Sequence, residues 1–185
     1  MQKFERADFE VKEYVESENY GKFVLSPLER GFGTTIGNAL RRVLLSSLPG
    51  AAVFSIKVDG VYHEFTTIPG IREDVSMIIL QLKQLVMTIE DDDVYDLQIS
   101  AKGPCTITAG DIICPAQVEI LNKDLEIAHL EKDVTFEMEL KAKNGRGYVS
   151  ADINKQLNQG ASQGIGTVYT DSIYTPIEKD SYNVE

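Results

Sequence analysis

Apolar positions recur at helical spacing just past the first quarter of the chain. Ile36, Leu40, Val43 and Leu44, with Ser47, fall on one side at about 100° per residue. The spacing predicts a helix from about Thr34 to Leu48. It is entered through the turn Gly31-Phe32-Gly33, capped by Thr34 or Thr35, and stopped at Pro49-Gly50. The apolar side reads as a core stripe. The opposite side carries Asn38, Arg41, Arg42 and Leu45. A leucine among arginines is either a scattered surface residue or part of a contact patch, because interface centres favour both types. The pattern leaves both readings open.

Before this helix, Phe9 to Val15 and Lys22 to Leu28 read as two strands joined by the polar Glu16 to Gly21, an antiparallel hairpin that ends at or near Pro27. After it, Ala51 to Val58 reads as a strand, Asp59-Gly60 as a tight turn and Val61 to Phe65 as the returning strand. A second helix is predicted from about Arg72 to Met87, with Val75, Ile78, Ile79, Leu82, Leu85 and Val86 at helical spacing and acids in its first turn. From Val94 to Val149 strands dominate. Phe136, Met138 and Leu140 alternate with Glu137, Glu139 and Lys141, and Asn144-Gly145 reads as a hairpin turn. Asn158 to Gly166 reads as a mobile loop and Ile173 to Val184 as a strand broken by Pro176. Helices set apart from runs of strands imply an α+β fold.

The 185 residues suffice for one large or two small domains. A net charge of −11 changes the picture, because a duplex-binding chain normally carries a basic surface. Cys105 and Cys114 lack zinc or redox spacing and read as two buried free thiols. No signal peptide or membrane-length apolar run is seen, and a cytoplasmic location is expected.

Candidate chemistry is sparse. Gly31-x-Gly33-x-x-x-Gly37 after a strand-like run, with Asp59 ending the next one, imitates a dinucleotide-binding fingerprint. Against it, the third glycine is one residue late, Pro27 to Arg30 separate strand from turn, and strand and helix do not keep alternating. His63 and His129 each sit in strand-like contexts with no second histidine or cysteine nearby. The acidic run Glu90 to Asp93 lacks the alternating ligands and central glycine of a calcium loop.

One further pattern runs the length of the chain: Leu28-Glu29-Arg30-Gly31-Phe32-Gly33, Gly37-Asn38-Ala39-Leu40-Arg41-Arg42, Leu44-Leu45-Ser46-Ser47-x-Pro49-Gly50, Asp59-Gly60-Val61-x-His63-Glu64, Glu73-Asp74, Gly145-Arg146-Gly147-Tyr148-Val149, Tyr174-x-Pro176-x-Glu178 and Tyr182-Asn183-Val184-Glu185. In this order it resembles the N-terminal domain of the alpha subunit of bacterial DNA-directed RNA polymerase. The resemblance implies a discontinuous dimerisation subdomain, residues 1–51 and 173–185, with a β-rich subdomain, residues 52–172, inserted. It implies a homodimer interface at Phe32, Ile36, Leu40, Val43 and Leu44. Beta-subunit contacts are implied at Arg42 and Leu45, and are expected also at Asn38 and Arg41 on the same side. It further implies docking of the beta and beta-prime subunits, a scaffold without catalytic residues, cofactor or metal of its own, and magnesium in the large catalytic subunits. No direct DNA or membrane binding is expected of this segment. Family chains continue with another dimer helix, a linker and a DNA-binding domain, so weaker pairing is expected of the present segment alone.

Overall fold

The computed structural model describes residues 6–131, 133–158 and 166–185. The fold is α+β. In chain order its elements are β1 (Asp8–Val15), β2 (Tyr20–Ser26), α1 (Phe32–Ser46), β3 (Pro49–Val58), α2 (Val75–Leu82), β4 (Met87–Ile89), β5 (Tyr95–Lys102), β6 (Cys105–Thr108), β7 (Ile112–Ile113), β8 (Val118–Ile120), β9 (Glu126–Leu130), β10 (Thr135–Arg146), β11 (Tyr148–Val149), α3 (Ala151–Leu157), β12 (Thr167–Tyr169) and β13 (Ser172–Ile173). The chain forms two compact units, Met1–Val43 with Lys179–Glu185, and Leu44–Glu178. These compact units divide at 43/44 and 178/179, eight and six residues from the subdomain limits 51/52 and 172/173 that the resemblance implies.

The first unit contains the expected hairpin. β1 and β2 pair antiparallel, Asp8 opposite Ser26 and Val15 opposite Tyr20, and the strand stops before Pro27. Asn19 makes the turn in left-handed conformation (φ 50°). Neither strand has a buried residue.

The larger unit is built on an antiparallel sheet in the order β12-β3-β10-β5-β7. Alternation dictates it. Phe136, Met138, Leu140 and Ala142 of β10 point into the core with Leu97 and Ile99 of β5 and Ile56 and Val58 of β3. Register places Leu140 opposite both Ile56 and Leu97, which sets three large side chains in one layer. On the outer face Lys57 pairs with Glu139 at 3.2 Å and Lys141 with Asp96 at 2.7 Å. α2 lays Val75, Ile78, Ile79 and Leu82 onto the core, and the Asp74 carboxylate caps it by accepting the Met77 N–H at 2.7 Å.

Several expectations are corrected. α2 covers Val75–Leu82 only, and Met87 opens a strand. Val61 to Phe65 is irregular, because β3 takes β10 and β12 as neighbours instead of a returning strand. Asn144 and Gly145 lie inside β10. Asn144 donates from Nδ2 to the carbonyls of Ile89 and Asp91, and a Cβ at Gly145 would lie 2.8 Å from the Tyr174 ring, so glycine serves close packing there. The chain bends at Gly147, whose φ of 63° suits glycine, and β11 then pairs with β13 and makes no hairpin with β10. Past Ser172–Ile173 the chain has no regular strand. Cys105 is exposed and Cys114 half-buried. Residues 159–165 of the expected glycine-rich loop lie outside the described residues.

α3 had no sequence-level expectation. Its one buried residue is Asn154, which donates from Nδ2 to the Thr170 carbonyl (2.9 Å) and Ser172 Oγ (3.0 Å), while Ser172 Oγ donates to the Val53 carbonyl.

Leu140→Ala is expected to cost about 2–5 kcal/mol, through lost transfer energy and a cavity. Lys141→Ala, one residue on and facing out, is expected to cost no more than about 1 kcal/mol. Denaturant titration of the two variants checks the register, and equal losses would contradict it.

Candidate functional site

α1 begins where Gly31 takes a φ of 91°, a conformation strained for other residues, and the Phe32 N–H donates to the Glu29 carbonyl at 3.1 Å. The helix runs Phe32–Ser46, two residues earlier at each end than expected, and Pro49 opens β3 instead of terminating a helix. A helix stop and a strand start look alike at Pro-Gly, since proline suits the first position of a strand.

The expected core stripe is left uncovered among the described residues. α1 has no buried residue at all. Leu40 is 44% exposed, Val43 51% and Phe32 50%, while Ile36 and Leu44 are half-buried. Phe32, Ile36, Leu40 and Val43 therefore share one open face of the first unit. On the other side Asn38 and Arg42 are exposed and Leu45 is half-buried, so Leu45 is less open than a simple wheel suggests. Arg42 engages other groups of the chain. Arg41 is set apart from Arg42: its Nε lies 4.0 Å from Asp180 Oδ2. α1 thus carries two arginines and no acid in a chain of net charge −11.

The glycines of the dinucleotide-like pattern have other work. A Cβ on Gly33 would sit 2.6 Å from Val184 Cγ1, and one on Gly37 would sit 2.5 Å from Tyr182 Cδ2. The space a pyrophosphate would need beside these glycines holds side chains of the same unit.

The histidines separate. His63 lies in an irregular segment, its Nδ1 3.2 Å from Thr66 Oγ1. His129, in β9, is clamped by residues ahead of α2. Glu73 Oε2 accepts the His129 backbone N–H at 2.7 Å, and Glu73 Oε1 lies 2.8 Å from His129 Nδ1. Nδ1 is placed to donate to this carboxylate, so the neighbouring Arg72 Nη2, 3.1 Å away, finds no lone pair there. Arg72 instead donates from Nε to Glu73 Oε1 and from its backbone N–H to the His129 carbonyl. The cluster is a tie between chain segments. In the acidic run, Asp91 accepts from the Tyr95 hydroxyl at 2.6 Å, and this bond pushes the phenol up to about 12. Among the described residues no three His, Cys, Asp or Glu side chains gather as a metal site, and no helix is long and apolar enough to cross a membrane.

What the geometry offers is an amphipathic α1 with no buried residue, its apolar positions Phe32, Leu40 and Val43 exposed. Residues 56–175 match the family described as RNA polymerase Rpb3/RpoA insert domain, and the chain belongs to that family. The match lies within the larger unit, Leu44–Glu178. The chain is also similar to the DNA-directed RNA polymerase subunit alpha of Alkaliphilus metalliredigens (strain QYMF). It is 52% identical over 184 residues, which cover 100% of this chain and 57% of that protein. The chain therefore spans little more than half the length of this curated relative.

Burial alone would raise the Glu73 carboxyl, but the hydrogen bonds from the His129 backbone and ring outweigh it and hold the group below its ordinary value of 4.5. A lowered folded value stabilises the fold above pH 4.5, and that stabilisation is lost as pH falls through the folded value. Glu73→Gln is expected to flatten the pH dependence of the melting midpoint below pH 4.5 and leave its slope between pH 6 and 8 unchanged. A parallel acid limb in parent and variant would contradict this.

Proposed function

We propose that this chain is the N-terminal part of the alpha subunit of a DNA-directed RNA polymerase, a non-catalytic scaffold in transcription. It pairs with a second copy and docks the beta and beta-prime subunits, which hold magnesium and carry the nucleotidyl transfer, in the cytoplasm. Residues 1–51 and 173–185 form the dimerisation subdomain and residues 52–172 the insert. The observation that carries the reading is the amphipathic α1 with no buried residue. An apolar stripe of that kind is ordinarily covered, and twofold pairing is the commonest way to cover it. Phe32, Ile36, Leu40, Val43 and Leu44 meet the second copy. Arg42 and Leu45, with Asn38 beside them, face the beta subunit, where a desolvated arginine next to an apolar group makes an effective anchor. Arg41, beside Asp180, serves the inner contact of its own unit. The net charge of −11 argues against duplex DNA as a ligand of this segment.

Co-expression with the beta and beta-prime subunits tests the reading: the chain is expected to co-purify with both as a pair of copies. Arg42→Ala is expected to keep the melting midpoint near that of the parent, since an exposed arginine contact contributes about 0–1 kcal/mol. It is expected to lose about thirtyfold in affinity for the beta subunit, the equivalent of about 2 kcal/mol at an anchor residue. Normal assembly by Arg42→Ala removes the two-faced reading of α1. Failure of the parent to co-purify with either large subunit leaves a free-standing interaction module as the better account.

A further inference from the structure

α1 has a third face, and it is occupied. Gly33, Gly37 and Arg41 lie about 100–180° round the helix from Phe32, between the apolar stripe and the side that holds Leu45, Asn38 and Arg42. Onto this face residues 180–184 pack. Val184 lies over Gly33, Tyr182 over Gly37, and Asp180 beside Arg41. The pairing is in phase. Four helical residues rise about 6 Å, and two residues of extended chain span about 6.6 Å. Every fourth residue of the helix therefore meets every second residue of the segment, running in the opposite direction. All six residues belong to the same compact unit.

Side-chain size enforces the fit. Any Cβ at Gly33 or Gly37 would enter Val184 or the Tyr182 ring, at 2.6 and 2.5 Å. Asp180 Oδ2 is shut off from solvent and makes no hydrogen bond among the described residues, so the 4.0 Å contact with Arg41 is its charge partner there. Two glycines receive the Val184 and Tyr182 side chains, and the Arg41–Asp180 contact continues the same spacing one helical turn on.

We propose that residues 180–184 form a strap that positions α1 for docking, with Gly37 and Tyr182 as its central positioning residues. The inference rests on the subunit reading above and adds a coupling to it. The strap borders both candidate interfaces, so its seating sets how the stripe and the Arg42 side are presented. It also assigns a use to the glycine spacing that imitates a dinucleotide fingerprint.

The test uses the full chain and four variants: Gly37→Ala, Tyr182→Ala, the double variant and Tyr182→Phe. Pairing is measured by sedimentation well below every melting midpoint, and beta-subunit docking by reconstitution. Gly37→Ala and Tyr182→Ala are each expected to weaken pairing and docking about tenfold, within the range for residues that act through others. The double variant is expected to stay near tenfold, because both changes remove one contact. Tyr182→Phe, which keeps the ring over Gly37, is expected to match the parent. Helix propensity alone predicts the opposite sign, since alanine stabilises a helix relative to glycine. If Gly37→Ala raises the midpoint and pairs like the parent, or if the two losses add to about a hundredfold in the double variant, the strap is overturned. A strap that only supports the fold lowers midpoints and leaves both affinities at parent values, which also overturns the positioning role. These outcomes are distinct from failure of the subunit reading, in which the parent itself neither pairs nor docks.

Discussion

A two-stranded hairpin and a single amphipathic helix cannot close a core by themselves. Isolated hairpins are marginal in water, and small units bury too little apolar surface to offset chain entropy. The unit formed by Met1–Val43 and Lys179–Glu185 meets this constraint only in part: its hairpin has no buried residue, and neither does α1. Phe9 and Phe23 do meet across the hairpin, ring centroids 5.6 Å apart, yet both stay more than half exposed. Within this unit α1 is met by the line of contacts from Val184 to Asp180. The requirement for further cover is the physical root of the proposed pairing. The larger unit has no such deficit, because β10 buries one full face between β3 and β5.

The parts of the fold legible in the sequence are those whose periodicity coincides with burial in the same chain. β10 alternates cleanly because its two faces see core and solvent, and α2 keeps its helical spacing because one side lies on the sheet. Legibility fails where local signals compete with distant partners. Asp59-Gly60 does turn, but the strand after it is displaced by β10, about eighty residues away along the chain. Asn144-Gly145 carries hairpin chemistry and is used for close packing against Tyr174. α3 is inverted: Ile153 and Leu157 are exposed and Asn154 is buried, so no apolar stripe marks it.

The candidate site shows the same limit from another side. The stripe on α1 was legible as an apolar face, but periodicity cannot say whether the cover is intramolecular. That Arg41 and Arg42 part company follows from Asp180, more than a hundred residues later, which no local pattern reports. The glycines were legible as positions needing close approach. The approaching group is the chain's own Tyr182 and Val184, where the spacing had suggested a cofactor. Glycine spacing encodes proximity, and the structure must supply what comes near.

The central claim is that the Leu40–Val43 face of α1 meets a second copy of itself. Disulfide trapping tests it most directly. Single cysteines replace Leu40 or Val43, and separately Asn38, in a background where the exposed Cys105 and half-buried Cys114 are changed to serine. A symmetric interface predicts that mild oxidation gives a covalent dimer from the Leu40 or Val43 position and none from Asn38, at protein concentrations where random collision does not cross-link. Equal trapping at all three positions, or trapping at Asn38 alone, would contradict the account.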